Sequence, residues 1–123
     1  MDLLSDKVIG AAIKVHRELG PGLLESAYEM CLAYELRDCG LLVETQRPLP
    51  VVYRGVKLDC GYRLDIVVEG KLIMELKAVD RIMPIHEAQL LSYLRLSGIP
   101  LGLLVNFHVN LLKDGIKRLV HNY

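Results

Sequence analysis

Between residues 62 and 79 the chain alternates so regularly that its sheet register is close to fixed. Side chains on a strand point to opposite faces with period two. Leu64, Ile66, Val68, Leu72, Met74 and Leu76 all hold even positions and form one apolar face. Asp65, Glu75 and Lys77 hold odd positions, in the company of Arg63, Val67, Lys71 and Ile73. The two runs flank Glu69-Gly70, a hairpin signal. A two-residue turn would set Asp65 opposite Met74 and split the hydrophobic set. A three-residue connection, or a bulge at Gly70, pairs Val68 with Leu72 and Asp65 with Glu75. The apolar pattern therefore selects the register that brings two carboxylates side by side.

Two adjacent carboxylates raise each other's pKa, and a hard divalent cation relieves the repulsion. Oxygen donors suit Mg²⁺ or Mn²⁺. Lys77 points to the same side as Glu75, where an ammonium can hold an attacking water or steady a phosphate oxygen. A plainer reading stands beside this one: a solvated strand face on which Asp, Glu and Lys pair across a hairpin. A D…ExK spacing arises readily by chance.

Two helical segments bear on the choice. His86, Gln89 and Tyr93 lie at helical spacing on one face, with Ile85, Leu91 and Leu94 largely elsewhere. Such a polar stripe, following directly after the ExK strand, can fold back to orient Lys77 or bond a phosphate; it can equally face solvent. Glu25 falls in the first turn of a helix after the Gly20-Pro21-Gly22 break, with Tyr28 and Glu29 on its face. The helix dipole alone favours an acid there; the functional alternative is a third acid at the site. His16, near the end of the first helix, reads as structural or exposed.

The remaining pattern predicts helices over residues 5–19, capped by Ser5 or Asp6, over 23–38, with a core face of Leu24, Ala27, Cys31, Leu32 and Leu36, and over 85–97. Strands are expected over 43–47, where Pro48 and Pro50 imply an edge or an irregularity, over 51–53 and 56–58 around Arg54-Gly55, and over 101–107. A short last strand fits after Asp114-Gly115. The order is that of an α/β or α+β layer with one central sheet, in which the strand after the third helix is free to run parallel to the strand before it. At 123 residues this is one domain, 1–123.

Composition sets limits on function. Lysine plus arginine equals aspartate plus glutamate, 15 each. That balance argues against strong non-specific DNA binding, which calls for a basic excess. Hydrophobic residues make up 52% of the chain, rich for so small a protein, and imply an apolar patch that pairs with a second copy as a homodimer. Cys31, Cys39 and Cys60 show neither metal nor disulfide spacing and read as reduced thiols. The N-terminus lacks the features of a secretory signal, and no apolar run reaches the ~18 residues of a membrane span. A cytoplasmic location without membrane contact is expected.

Taken in order, the segments resemble a known family. Gly22-Leu23-Leu24-Glu25-Ser26-Ala27-Tyr28 matches the GxxExxY signature that names the GxxExxY protein family, which is placed in the PD-(D/E)XK nuclease superfamily near the RecB-like branch. Tyr62-Arg63-Leu64-Asp65 and Glu75-Leu76-Lys77 match the D…ExK core, and Gln89-Leu90-Leu91-Ser92-Tyr93 matches the QxxxY helix motif. The resemblance implies a restriction-endonuclease-like α/β core, a mixed central sheet flanked by helices. It implies Asp65, Glu75 and the Leu76 carbonyl as metal ligands, and Lys77 as the residue that positions water. Glu25 becomes a further acid, with Gln89 and Tyr93 supporting substrate or Lys77. The four-cysteine pattern of the iron–sulfur relatives is missing, so no cluster is expected. Two functions follow: a Mg²⁺- or Mn²⁺-dependent nuclease, or a non-catalytic nucleic-acid- or protein-binding module that retains the fold.

Overall fold

A computed structural model describes residues 3–121. The elements run α1 (Leu3–Leu19), α2 (Glu25–Asp38), β1 (Val43–Pro48), β2 (Val51–Tyr53), β3 (Val56–Leu58), β4 (Arg63–Val68), β5 (Leu72–Lys77), α3 (Pro84–Ser97), β6 (Leu101–Asn106), a 3-10 turn at Leu112–Gly115 and β7 (Ile116–Val120). Five strands form one mixed sheet in the order β1-β4-β5-β6-β7, and β2 and β3 pair only with each other. Neighbours in the large sheet are antiparallel except β5 and β6, which α3 connects as a parallel pair.

The expected register holds: Val68 stands opposite Leu72 and Ile66 opposite Met74. Glu69 and Gly70, with φ of 56° and 63°, make the turn, closed by Lys71 N–H donating to the Val68 carbonyl at 3.0 Å. Both faces of the sheet are covered. Ile66, Val68, Leu72, Met74 and Leu76 pack with Val8, Val15, Leu32 and Leu36 of α1 and α2. Val67 and Ile73 pack with Leu90, Tyr93 and Leu94 of α3. The odd face is thus a second core rather than a solvated one, and every residue of β6 is buried. A methyl at Gly102 would stand 3.1 Å from the Leu90 side chain, so α3 rides close on the sheet where β6 has no side chain.

Four expectations need correction. Ser5 does not cap α1: it lies inside the helix, buried, because the apolar face already begins at Leu4. The buried positions of α2 are Tyr28, Leu32, Ala33 and Leu36, while Leu24 and Cys31 are exposed. Tyr28 sets that rotation: it stacks on Phe107 with centroids 4.3 Å apart, donates from its hydroxyl to the Gly20 carbonyl at 2.6 Å and accepts from Leu23 N–H at 3.1 Å. In α3 the buried set is Leu90, Tyr93 and Leu94, and Ile85 and Leu91 are turned outward. Last, Leu64 does not share the face of Ile66: it packs with the α3-side cluster. Alternation along β4 therefore breaks at Asp65. Cys31, Cys39 and Cys60 are exposed free thiols. Among the described residues no helix is long and apolar enough to cross a membrane.

Candidate active site

The break in β4 creates the site. Opposite Asp65 on β1 stands Gln46, whose φ of 51° interrupts the edge strand that Pro48 ends. On the other side, the backbone ladder with β5 gives way to side chains. Asp65 N–H donates to Glu75 Oε2 at 3.0 Å, and Leu76 N–H donates to Asp65 Oδ2 at 2.8 Å. Each carboxylate thus accepts from the partner strand, and the two acids meet as the register required.

Glu75 is only 4% exposed. Burial first, and then the charge of Asp65, push its carboxyl up to about 8, against the pull of the Asp65 N–H and the Lys77 charge. A buried acid held this far from its ordinary range, beside a second acid, makes Glu75 and Asp65 candidates for a functional centre.

Lys77 is the last residue of β5, and its Nζ donates to Gln89 Oε1 at 3.3 Å. α3 therefore folds back onto the ExK strand, as the stripe reading required. Tyr93 sits in the α3-side core, its ring edge-on to Tyr62 with centroids 5.9 Å apart. Burial, followed by the Glu75 charge, raises its phenol to about 12, so it remains a hydrogen-bond donor at neutral pH. His86 leaves the stripe: its Nδ1 accepts from Met83 N–H at 2.9 Å and closes the first turn of α3. His16 is structural, its Nε2 donating to the Val109 carbonyl at 2.8 Å.

Glu25 opens α2, and its Oε2 accepts from Ala78 N–H at 3.3 Å, just past Lys77. The GxxExxY residues divide their work: Tyr28 ties the Gly20–Leu23 turn into the core, and Glu25, three residues before it at the start of the helix, reaches the end of β5. A cleft of about 350 Å³ is lined by Glu25, Ser26, Glu29, Gln46, Asp65 and Leu76.

Three residues of this neighbourhood had no assigned role in the sequence. Gln46 Nε2 donates to Glu29 Oε1 at 2.6 Å and reaches Asp65 Oδ1 at 3.4 Å. The Glu29 carboxyl is raised by burial, an effect the Gln46 bond opposes and the Asp65 and Glu25 charges reinforce. Asn106, 1% exposed, holds the backbone beyond Lys77 through Val79. The available signals were a lone amide at the end of an otherwise apolar strand for Asn106, and the prolines just after Gln46.

Asp65 and Glu75 are neighbouring carboxylates, hard oxygen donors of the kind a hard cation takes, and the cleft that Asp65 and Leu76 help to line holds no soft ligand. Among the described residues no three His, Cys, Asp or Glu side chains form a ready-made metal cage.

A family model described as the PD-(D/E)XK nuclease superfamily matches residues 2–119. Neither a curated protein nor a solved structure matches the chain.

Proposed function

The chain belongs to the PD-(D/E)XK nuclease superfamily, and from that membership we propose that it hydrolyses phosphodiester bonds of nucleic acid with a divalent cation. The observation that carries this reading is the meeting of Asp65 and Glu75 at the break in β4, with Lys77 two residues along and tied to Gln89. Superfamily members use divalent metals; for this chain the proposed ligands are Asp65, Glu75 and the Leu76 carbonyl, and the proposed ion is Mg²⁺ or Mn²⁺. The cation supplies positive charge against the charge that develops on the phosphoryl oxygens. Lys77 holds the attacking water in line with phosphorus, and Gln89 holds Lys77. Tyr93 donates from its hydroxyl to a phosphate oxygen. Glu25 orients the backbone at Ala78 and adds negative charge that favours the cation.

Within the superfamily we read the chain as a GxxExxY protein near the RecB-like branch, on the strength of Gly22, Glu25 and Tyr28 together with Gln89 and Tyr93. We read it as one cytoplasmic domain, a location supported by its three exposed thiols. A homodimer is part of the proposal. Met30 and Tyr34, 74% and 69% exposed on α2, form an apolar surface beside the Lys14–Glu35 ion pair, and sedimentation of Tyr34→Ser against wild type tests it.

The function is tested by incubating the chain with single- and double-stranded DNA, RNA and branched forms, with Mn²⁺, Mg²⁺ or EDTA. Cleavage that needs the metal and falls about 10²-fold or more in Lys77→Ala and Asp65→Asn is expected. No cleavage above the Lys77→Ala background would sink the nuclease reading and leave a binding module on the same fold.

A further inference from the structure

Outside the large sheet, β2 and β3 form a two-stranded hairpin of their own, and every residue of β3 is exposed. Such a hairpin has little stability by itself, so its open face asks for an occupant. It is rooted at the mouth of the candidate site. β1 ends with Pro48 opposite Arg63, two residues before Asp65, and Leu49 N–H donates to the Tyr62 carbonyl at 3.0 Å across the base. The Tyr62 ring touches Tyr93, which in turn feels the charges of Glu75 and Asp65.

The charge of this segment departs from that of the chain. Residues 47–63 carry Arg47, Arg54, Lys57 and Arg63 against Asp59, a net charge of +3 in a chain whose total is zero. Arg47 is paired with Glu44, and Arg63 with Asp59. The side chains of Arg54 and Lys57 have no ion pair or hydrogen bond among the described residues. Register sorts the rest. Tyr53 stands opposite Val56 and Val51 opposite Leu58, on one face; Val52 and Lys57 share the other. Tyr53, Val56 and Leu58 are 62%, 55% and 43% exposed. The tip, Arg54-Gly55, turns with both φ angles positive.

We propose that the β2–β3 hairpin is the arm with which this chain grips single-stranded nucleic acid beside the Asp65–Glu75–Lys77 site, an inference that rests on the nuclease reading. The free Arg54 at the tip, next to an exposed tyrosine, and the free Lys57 on the reverse face of the same ribbon are elements of single-strand binding: phosphates pair with the cations as the strand passes the arm, and an unstacked base lies on the ring. A ribbon that reads a duplex groove presents polar side chains to the base edges; this one presents Tyr53, Val56 and Leu58. A second copy of the chain would also cover an apolar face, but it carries the same unpaired Arg54 at its tip and the same net positive segment, and would bring like charges together. Nucleic acid neutralises them.

The test uses the whole chain in EDTA, with a fluorescein-labelled oligonucleotide of about 20 nucleotides and its duplex form. Anisotropy is read from ~50 to ~200 mM salt, and Mn²⁺-dependent cleavage is measured in parallel. Tyr53→Ala and the double variant Arg54→Ser/Lys57→Ser change only exposed side chains, and circular dichroism checks that both keep the wild-type melt. Tyr53→Ala is expected to weaken single-strand binding roughly 5- to 150-fold with little effect on the duplex. The double variant is expected to lower the slope of log K against log salt by about 1.4, for two phosphate contacts. If wild type cleaves and binds while both variants match it, the arm is wrong and the nuclease stands. Preferential duplex binding by wild type overturns the choice of substrate. A dimer that Tyr53→Ala converts to monomer, at unchanged affinity for nucleic acid, makes the face a chain–chain interface and overturns the proposal. Neither binding nor cleavage by wild type defeats the nuclease reading itself, and the arm with it.

Discussion

Asn106 and Val79 exchange two hydrogen bonds: Asn106 Nδ2 donates to the Val79 carbonyl at 2.9 Å, and Val79 N–H donates to Asn106 Oδ1 at 3.1 Å. His108 N–H donates to the same Oδ1 at 3.2 Å. A side-chain amide at the end of β6 thus continues the parallel pairing of β5 and β6 past Lys77, where the backbone ladder stops at Phe107 N–H on the Lys77 carbonyl. The segment that leaves the ExK strand is clamped at its first free residues, and Lys77 is held in place from behind.

Asn106→Ala should therefore cost more than an ordinary surface change. Its removal takes the shared partner from the Val79 amide and carbonyl, which are half-buried, and from the N–H of exposed His108; a group left unsatisfied away from water costs about 1–3 kcal/mol. Water reaching the opened end recovers part of that, so a net loss of about 2–4 kcal/mol is expected in urea unfolding. Metal-dependent cleavage should fall further than stability alone explains, because Lys77 loses its backing. A loss below about 1 kcal/mol would show that Asn106 does not hold the segment.

Much of this was legible in the sequence, and the reason is parity. The even apolar positions of residues 64–76 admit one register, and that register sets Asp65 beside Glu75. Element order and helix bounds followed from Gly and Pro breaks such as Gly20-Pro21-Gly22 and Gly98. The same parity argument failed at Leu64, because a strand that breaks to let a carboxylate reach its neighbour's backbone no longer alternates. Helix rotation was misread in α2 for a related reason: a single tertiary anchor, the Tyr28 ring on Phe107, outweighs a face built from Leu24, Ala27 and Cys31. Gln46 and Asn106 carry only the faint local signals of nearby prolines and of a lone amide ending an apolar strand; their roles depend on contacts 19 and 27 residues away, which one sequence does not reveal.

Tyr28→Phe separates the two jobs of that anchor. The stack on Phe107 survives, and the bonds to the Gly20 carbonyl and Leu23 N–H are lost. A cost of about 1–2 kcal/mol is expected, together with faster backbone hydrogen exchange at Leu23, whose N–H has lost its acceptor. Unchanged exchange there would mean that the turn before Glu25 is held by something other than the tyrosine.

Two glycines on β6 and beside it predict a graded pair. A methyl at Gly115 would fall inside the van der Waals shell of the Asn106 carbonyl oxygen, which is backbone and cannot move aside. A methyl at Gly102 would first meet the Leu90 side chain, at 3.1 Å, which is not backbone and can give by a few tenths of an ångström. Gly115→Ala is expected to destabilise by about 2 kcal/mol or more and Gly102→Ala by about 1. The reverse order in thermal melts would contradict the packing described for the two ends of this strand.

The acid pair gives the chain a pH dependence whose sign is fixed. The Glu75 carboxyl titrates near 8 in the folded chain, raised by burial and then by the Asp65 charge, from an ordinary value of 4.5. Between those values the folded state keeps a proton that the unfolded state has released. Stability is therefore fully present below about pH 4.5 and is lost as pH rises through 8, with a slope of at most about 1.4 kcal/mol per pH unit. Glu29 is shifted in the same direction and adds to it. In EDTA the melting temperature should fall from pH 5 to pH 8.5 by more than the background of other groups, which Glu75→Gln reports: a neutral amide can still accept from Asp65 N–H and has no charge to bury. A cation competes with the proton for Glu75, so added Mn²⁺ should raise the wild-type melting temperature more at pH 8 than at pH 6. Glu75→Gln should be more stable than wild type at pH 8 in EDTA and should respond little to Mn²⁺ at either pH. If wild type and Glu75→Gln melt in parallel across this range, with and without Mn²⁺, then Glu75 is neither the buried acid nor the ligand described here.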